Sequence, residues 1–386
     1  MTTASAGHRR SARPVFVAVL FVGFLLQIAS AQGFDHFNLF LDLNYSSADQ
    51  TIDLYNGLGG IPGSIALLRG SRIALATTAL LSGKPLTITA LDTSLESVKF
   101  NQSLGDDPFR MEDARENGAA MRELLDVVKK RNFAQKVVAT VQQLFPEDAR
   151  LTARVPVFFV AFGPQTVDAF VRRVIWHGDI PEFVGEGSGE PTIVVNLAKA
   201  VHYGDNVDAR FVGLMSVVAH EVFHAAFGAY KDDSPVWRAY YASPRTPLDQ
   251  LLDITQNEGI AYYLSLLQRT HGRLVLDWAD RTRTAVDEFN RRAEELLNPA
   301  TPPGRVTQIL QMANTSGYWE SYGSITGMVM AREIDRTLGS QVLASTIAQG
   351  PADFFLKYQQ AQRFGSEAPL LSPKILSYVQ GTVQGK

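Results

Sequence analysis

The chain of 386 residues contains no cysteine. That excludes a disulfide framework, a cysteine-ligated metal site and a thiol nucleophile together. Charge of one sign is also lacking. Lys and Arg number 36 against 39 Asp and Glu, a net charge of −3, so neither nucleic acid nor an anionic membrane surface is an expected partner. There is no internal repeat at a solenoid period. No cysteine follows the apolar N-terminal segment, which excludes a lipoprotein. Beyond that segment no stretch reads as long and apolar enough for a transmembrane helix. Histidine is scarce, seven in all, so any regular spacing between two of them is informative. With 46% hydrophobic and 19% charged residues, the chain can bury a large core, and disordered or fibrous readings are excluded.

The N-terminus reads as a targeting segment. Arg9, Arg10 and Arg13 form a basic region, and Val15 to Ile28 is an apolar run too short to span a bilayer comfortably. Ala29-Ser30-Ala31 then reads as an A-x-A cleavage site. Residues 1–31 hold three arginines and no acid, so cleavage after Ala31 takes the net charge from −3 to −6. The expectation is a signal peptide over 1–31 and a secreted or periplasmic protein without a membrane span after cleavage. A retained anchor is the alternative.

The rest divides by pattern. Residues 32–150 read as an N-terminal helical lobe, with helices over 46–57, 65–81 (a break at Gly70-Ser71), 111–131 and 133–144. Residues 151–386 read as a second domain. It opens with β-branched and aromatic strands over 155–162 and 191–197 and continues almost wholly helical. Between the strands, Val184-Gly-Glu-Gly-Ser-Gly-Glu190 is glycine-rich. No Lys-Ser/Thr follows it and a strand comes next, so it reads as a flexible lip and not as a phosphate loop. The polar segment 231–247, with Pro235 and Pro244, reads as a loop. The fold class expected is α+β, a small sheet with a predominantly helical body.

The chemistry concentrates in Ser216 to Tyr230, which contains His220-Glu221-Val222-Phe223-His224. On a helix, residues four apart lie one above the other, so both imidazoles project from one face and can hold one Zn²⁺. Glu221 lies about 100° round the helix, placed to act on a metal-polarised water. Two histidines and a glutamate in an otherwise apolar run are costly to bury, and a metal compensates. A zinc site of this kind needs a third ligand. Glu258, in Gln256-Asn-Glu-Gly-Ile-Ala-Tyr-Tyr263, leads into the apolar part of the next long helix and is the best candidate. Asp253 is its nearest competitor.

H-E-x-x-H followed by a helix bearing N-E-G-x-A resembles the gluzincin metallopeptidases, whose third zinc ligand is a glutamate. Asn257-Glu258-Gly259-Ile260-Ala261-x-Tyr263 is similar to the zinc helix of the M1-type aminopeptidases. Size, signal and helix-rich tail look more like bacterial zinc peptidases of uncharacterised domain families. The resemblance covers about residues 216–265. It implies a thermolysin-like zincin unit, one zinc on His220, His224 and Glu258, Glu221 as general base, and a peptide or protein substrate. It also implies a downstream group for the oxyanion: Tyr322, with Tyr318 and His271 as alternatives. The strand before the zinc helix would pair with extended peptide, through Thr192, Val194 and Asn196. Two features depart from the pattern. The interval from His224 to Glu258 is long, and the M1 G-x-M-E-N motif is missing, leaving Glu186 or Glu190 to bind an amine. A zinc protein without catalysis, or a zinc hydrolase of a non-peptide substrate, is the alternative function.

Overall fold

The computed structural model describes residues 36–384 apart from 164–168, 186–187, 271–273, 316–317 and 366–367. The proposed signal and its cleavage site, His271 and Glu186 therefore lie outside the described residues. Residues Phe34–Lys386 form one compact unit.

The first part of the chain runs β1 (Phe37–Asn44), α1 (Ser46–Tyr55), α2 (Pro62–Leu67), α3 (Arg69–Ser82), α4 (Ile88–Lys99), α5 (Met111–Glu116), α6 (Gly118–Lys130) and α7 (Phe133–Gln142). Next come β2 (Leu151–Val160), β3 (Ala169–His177), β4 (Ile180–Val184) and β5 (Glu190–Asn196). The remainder is helical: α8 (Leu197–Ala200), α9 (Val207–Asp233), α10 (Pro235–Ala242), α11 (Pro247–Thr270), α12 (Trp278–Leu296) and α13 (Pro303–Thr315). It closes with α14 (Tyr322–Leu338), α15 (Ser340–Gln349), α16 (Pro351–Arg363) and α17 (Pro373–Gln384).

A helix-dominated body with a small five-stranded sheet matches the expectation at that level. Three local readings change. The first lobe carries a strand, β1, which pairs in parallel with β2 over Phe37↔Leu151 to Asn44↔Phe158. The segment 231–247 is not a loop throughout, because Ser234 caps α10 and Pro235 opens it. The third is the hairpin of β3 and β4. Gly178-Asp179 joins them as a two-residue turn with Gly178 at φ +65°, a conformation glycine adopts without strain.

The sheet order is β1-β2-β5-β3-β4. Its first three strands are parallel; β3 is antiparallel to β5, and β4 is antiparallel to β3. Helices cover both faces, which is why β2 reads as a nearly continuous apolar run. Val155, Val157 and Phe159 point into the large core with α7 and α9. Phe158 and Val160 point into a second cluster with Leu54, Ile65, Ile73, Leu91 and Leu95. The period of two sends alternate residues of one strand to opposite helical layers.

On the large-core face of the sheet runs α9. Asn206 accepts a hydrogen bond from the Ala209 N–H and starts the helix, and Pro235 follows its end. Its 27 residues have a mean hydropathy of 1.4 over the most apolar window, enough by length and composition to cross a membrane. That corrects the expectation that nothing after the leader passes this test. The reason is its place in the core. Phe211, Leu214, Val218, Val222, Phe223 and Phe227 are buried, and a helix surrounded by protein is apolar around most of its circumference.

Candidate metal centre

Three donor atoms meet beside α9. His220 Nε2 and His224 Nε2 are 3.0 Å apart, as i,i+4 spacing on one helix requires. Glu258 Oε2, from α11, lies 3.5 Å from His224 Nε2 and 3.9 Å from His220 Nε2. Two ligands about 2.0–2.1 Å from a tetrahedral zinc are separated by about 3.3 Å, and the three spacings bracket that value. Two imidazoles and a carboxylate are also the donor chemistry zinc accepts. The residues present fit the ion, and together they could hold a metal.

Each ligand is oriented from behind. Asn257 Oδ1 lies 3.2 Å from His224 Nδ1, and Ser265 Oγ lies 3.4 Å from His220 Nδ1. Both leave Nε2 for the metal. Asn314, from α13, donates through Nδ2 to Glu258 Oε1 at 3.2 Å, leaving Oε2 turned inward. Such partners fix ring orientation and tautomer at metal sites. Consecutive residues of α11 thus act separately: Asn257 orients a histidine and Glu258 supplies a donor. The third, Gly259, permits contact with α14. A Cβ at Gly259 would lie 2.3 Å from the Cα of Gly327, and one at Gly327 would lie 1.9 Å from the Thr255 carbonyl oxygen. Only two glycines let these helix backbones approach so closely.

Considering the protein groups alone, the electrostatics are strongly coupled. Burial disfavours charge on His224, but the Glu258 carboxylate, with Glu221 and Asn257, outweighs it and pushes the imidazole up to about 9. Burial would raise Glu258, but His224, His220 and Asn314 hold it down at about 2. Glu221 moves the other way. Burial raises it, His224 opposes, Glu258 adds, and the Val171 N–H and Arg172 oppose weakly, leaving the carboxyl at about 7. Two adjacent carboxylates are driven apart by their surroundings, as at sites that separate binding from proton transfer.

A family model described as "Putative zinc dependent peptidase (DUF5700)" matches residues 82–364, most of the chain. The chain belongs to this family. Within this zinc-dependent peptidase family match fall both ligand helices, α9 and α11, and every strand but β1. No curated protein and no solved structure matches the chain.

In this member of the family, the other site residues expected from sequence are placed differently. Asp253 stands apart from the three donors. It pairs with Lys231 Nζ at 2.7 Å and accepts from the Tyr241 hydroxyl at 2.8 Å. Tyr322 is 3% exposed, and its hydroxyl donates to the Ile309 carbonyl at 2.6 Å. Ile309 is five residues before Asn314 on α13, about 7.5 Å along the axis from the ligand corner. Tyr318 is closer by contact. Its ring stacks on Tyr262 at 4.9 Å, and Tyr262 lies edge-on to His220 at 5.3 Å.

The expected peptide-binding strand is also corrected. β5 is internal, paired with β2 on one side and β3 on the other. Thr192 and Val194 are buried in the sheet, and Asn196 uses its side chain to accept from the Ala198 N–H at the start of α8. Glu190, the candidate amine binder, accepts from Trp176 Nε1. β3 borders the site instead. Beside the donors is a cleft of about 630 Å³, lined by Val171, Arg172 and Arg173 of β3 and by His224, Lys231 and Asn257 among others. β4 pairs with β3 only from Arg173 onward, so among the described residues no strand pairs the outer edge of 169–172. Sequence reasoning missed β3, Ser265 and Asn314. The alternating run Ala169 to His177 with its Gly-Asp turn was a readable hairpin signal. Nothing local marked Ser265 or Asn314.

Proposed function

We propose that the chain is a secreted zinc-dependent peptidase of the gluzincin type, built on a thermolysin-like zincin unit. One zinc is held by His220, His224 and Glu258. The observation that carries the reading is the donor triangle of 3.0, 3.5 and 3.9 Å with Glu221 adjacent to the first ligand. Secretion is supported by the basic, apolar and A-x-A order of residues 9–31.

Bound zinc supplies the Lewis acidity that brings the pKa of a water toward neutrality. Glu221, with its carboxyl near 7, is poised to take a proton at neutral pH and return it to the leaving amine. Extended peptide pairs with the open edge of β3 over 169–172, in place of the β5 contact expected from sequence. Tyr318, not Tyr322, is the tyrosine suited to meet the oxyanion, because its ring stacks on Tyr262, which in turn lies edge-on to the donor His220.

The test uses the mature chain. Wild type and Glu221→Gln should each bind one zinc per chain by elemental analysis. Cleavage of a peptide library should fall about 10²–10⁴-fold in the variant, the usual contribution of a general base. Equal cleavage by both proteins, or no cleavage by a fully zinc-loaded wild type, would sink the peptidase reading.

A further inference from the structure

The cleft holds three cations on its walls: Arg172, Arg173 and Lys231. Two have acids of their own. Lys231 Nζ is 2.7 Å from Asp253, and Arg173 Nη2 is 3.3 Å from Asp232. Arg172 differs. Among the described residues no carboxylate lies within ion-pair distance of its guanidinium, and the acid it senses through space is Glu221. It is nonetheless held in place. Its guanidinium carbon sits 3.6 Å from the centre of the Phe170 ring, and Nη1 donates to the Val171 carbonyl at 2.9 Å.

That arrangement covers one flat face of the guanidinium with an aromatic ring and ties down one nitrogen. Stacking restrains the side chain while the planar fork keeps further N–H donors for another acceptor. A carboxylate matches that fork in two parallel hydrogen bonds. Arg172 also lines the same cleft as the metal-donor His224 and its orienting partner Asn257. A substrate carboxylate bound by Arg172 would therefore lie beside the scissile bond.

We propose that Arg172 is a specificity-determining residue that binds a substrate carboxylate next to the cleaved bond. This rests on the peptidase reading. The carboxylate has two sources, an acidic side chain or the C-terminus of the peptide. The first makes the enzyme an endopeptidase selective for acidic residues. The second makes it release short C-terminal fragments.

The experiment measures binding separately from turnover. Zinc-loaded Glu221→Gln protein is titrated with four fluorescent peptides of equal length. They carry Glu or Gln near the centre, each with a free or an amidated C-terminus. We expect carboxylate-bearing peptides to bind about tenfold tighter or more, as charge-assisted bidentate pairs do, and the arm carrying the preference identifies the source. Adding Arg172→Gln should erase the preference. Adding Arg172→Glu should favour a Lys-bearing peptide, a gain that misfolding cannot produce. Equal binding of all four peptides, no binding of any, or a preference that survives Arg172→Gln would overturn the proposal. Wild-type protein is then given the preferred peptide. Arg172-dependent binding without cleavage would reject the peptidase reading and leave the carboxylate site standing. Cleavage without carboxylate preference would do the reverse.

Discussion

The α9–α11 pair carries two clusters of charge-bearing residues, and they differ in kind. Toward the end of α9, Lys231 meets Asp253 at 2.7 Å, the Tyr241 hydroxyl adds a bond to the same carboxylate, and the Phe227 and Trp237 rings each lie 4.3 Å from the ammonium. The donors there have found acceptors within the protein. Two turns earlier, His220, His224 and Glu258 bring two imidazole nitrogens and a carboxylate oxygen toward one point. Their other polar atoms are bonded outward, to Ser265, Asn257 and Asn314. A structural ion pair is complete in itself. A metal centre is oriented from behind and open in front.

The largest effect that would break this comparison comes from removing one member of each cluster. Lys231→Met leaves the Asp253 carboxylate buried without its cation and should destabilise the fold by about 3 kcal/mol, while zinc stoichiometry stays at one. His224→Ala should abolish tight zinc binding with a smaller loss of stability in chelator. Urea unfolding with elemental analysis reads both. If Lys231→Met lost its zinc and His224→Ala kept it, the two clusters would have been assigned the wrong way round.

A smaller effect sharpens the contrast. Asn257→Ala removes only the group behind His224. Zinc affinity should weaken about 10–100-fold, as for other partners of metal-binding histidines, with little change in folding stability. Competition against a fluorescent chelator measures it, and an unchanged affinity would deny Asn257 its orienting role.

The smallest effect is a pH dependence seen only in chelator. The folded pKa of His224, about 9, lies above its ordinary 6.5. Its stabilising contribution is therefore complete below pH 6.5 and is lost as pH rises through 9. Glu258 is held down at about 2, so its contribution is present above pH 4.5 and is lost as pH falls through 2. Glu221 is raised to about 7, so ionising it costs stability progressively from pH 4.5 to 7. With EDTA present, the melting temperature should peak near pH 4.5 and decline toward 9. Saturating zinc should flatten the alkaline decline, because the metal displaces the His224 proton. A melting temperature in EDTA that rises from pH 6.5 to 9 would contradict the coupling.

Readings from sequence succeeded where the geometry was local. His220 and His224 share a helix, so their convergence needs only 3.6 residues per turn. Glu258 was legible as an acid opening an apolar helical stretch, with a resemblance to support it. The errors were nonlocal or had an overlooked local sign. β5 was expected to be an edge, yet strand order depends on pairing with segments far away in the chain. Tyr322 was chosen by its distance in sequence past Glu258, but the rotation of α14 turns its hydroxyl to Ile309. The β3–β4 hairpin did have a local sign, in its alternation and its Gly178-Asp179 turn.

By itself, the sequence determined the zinc-type donor pair, the apolar helix that carries it and the absence of any thiol chemistry. Each follows from residue identity and short-range periodicity. Tertiary structure alone decided that Asn257, Ser265 and Asn314 stand behind the donors and that β3 borders the cleft. It also decided that Gly259 and Gly327 let α14 press α11 into place, and that Arg172 has no acid of its own among the described residues. These depend on which distant backbones approach one another, and buried polar atoms take their partners from whatever the packing brings within hydrogen-bond reach.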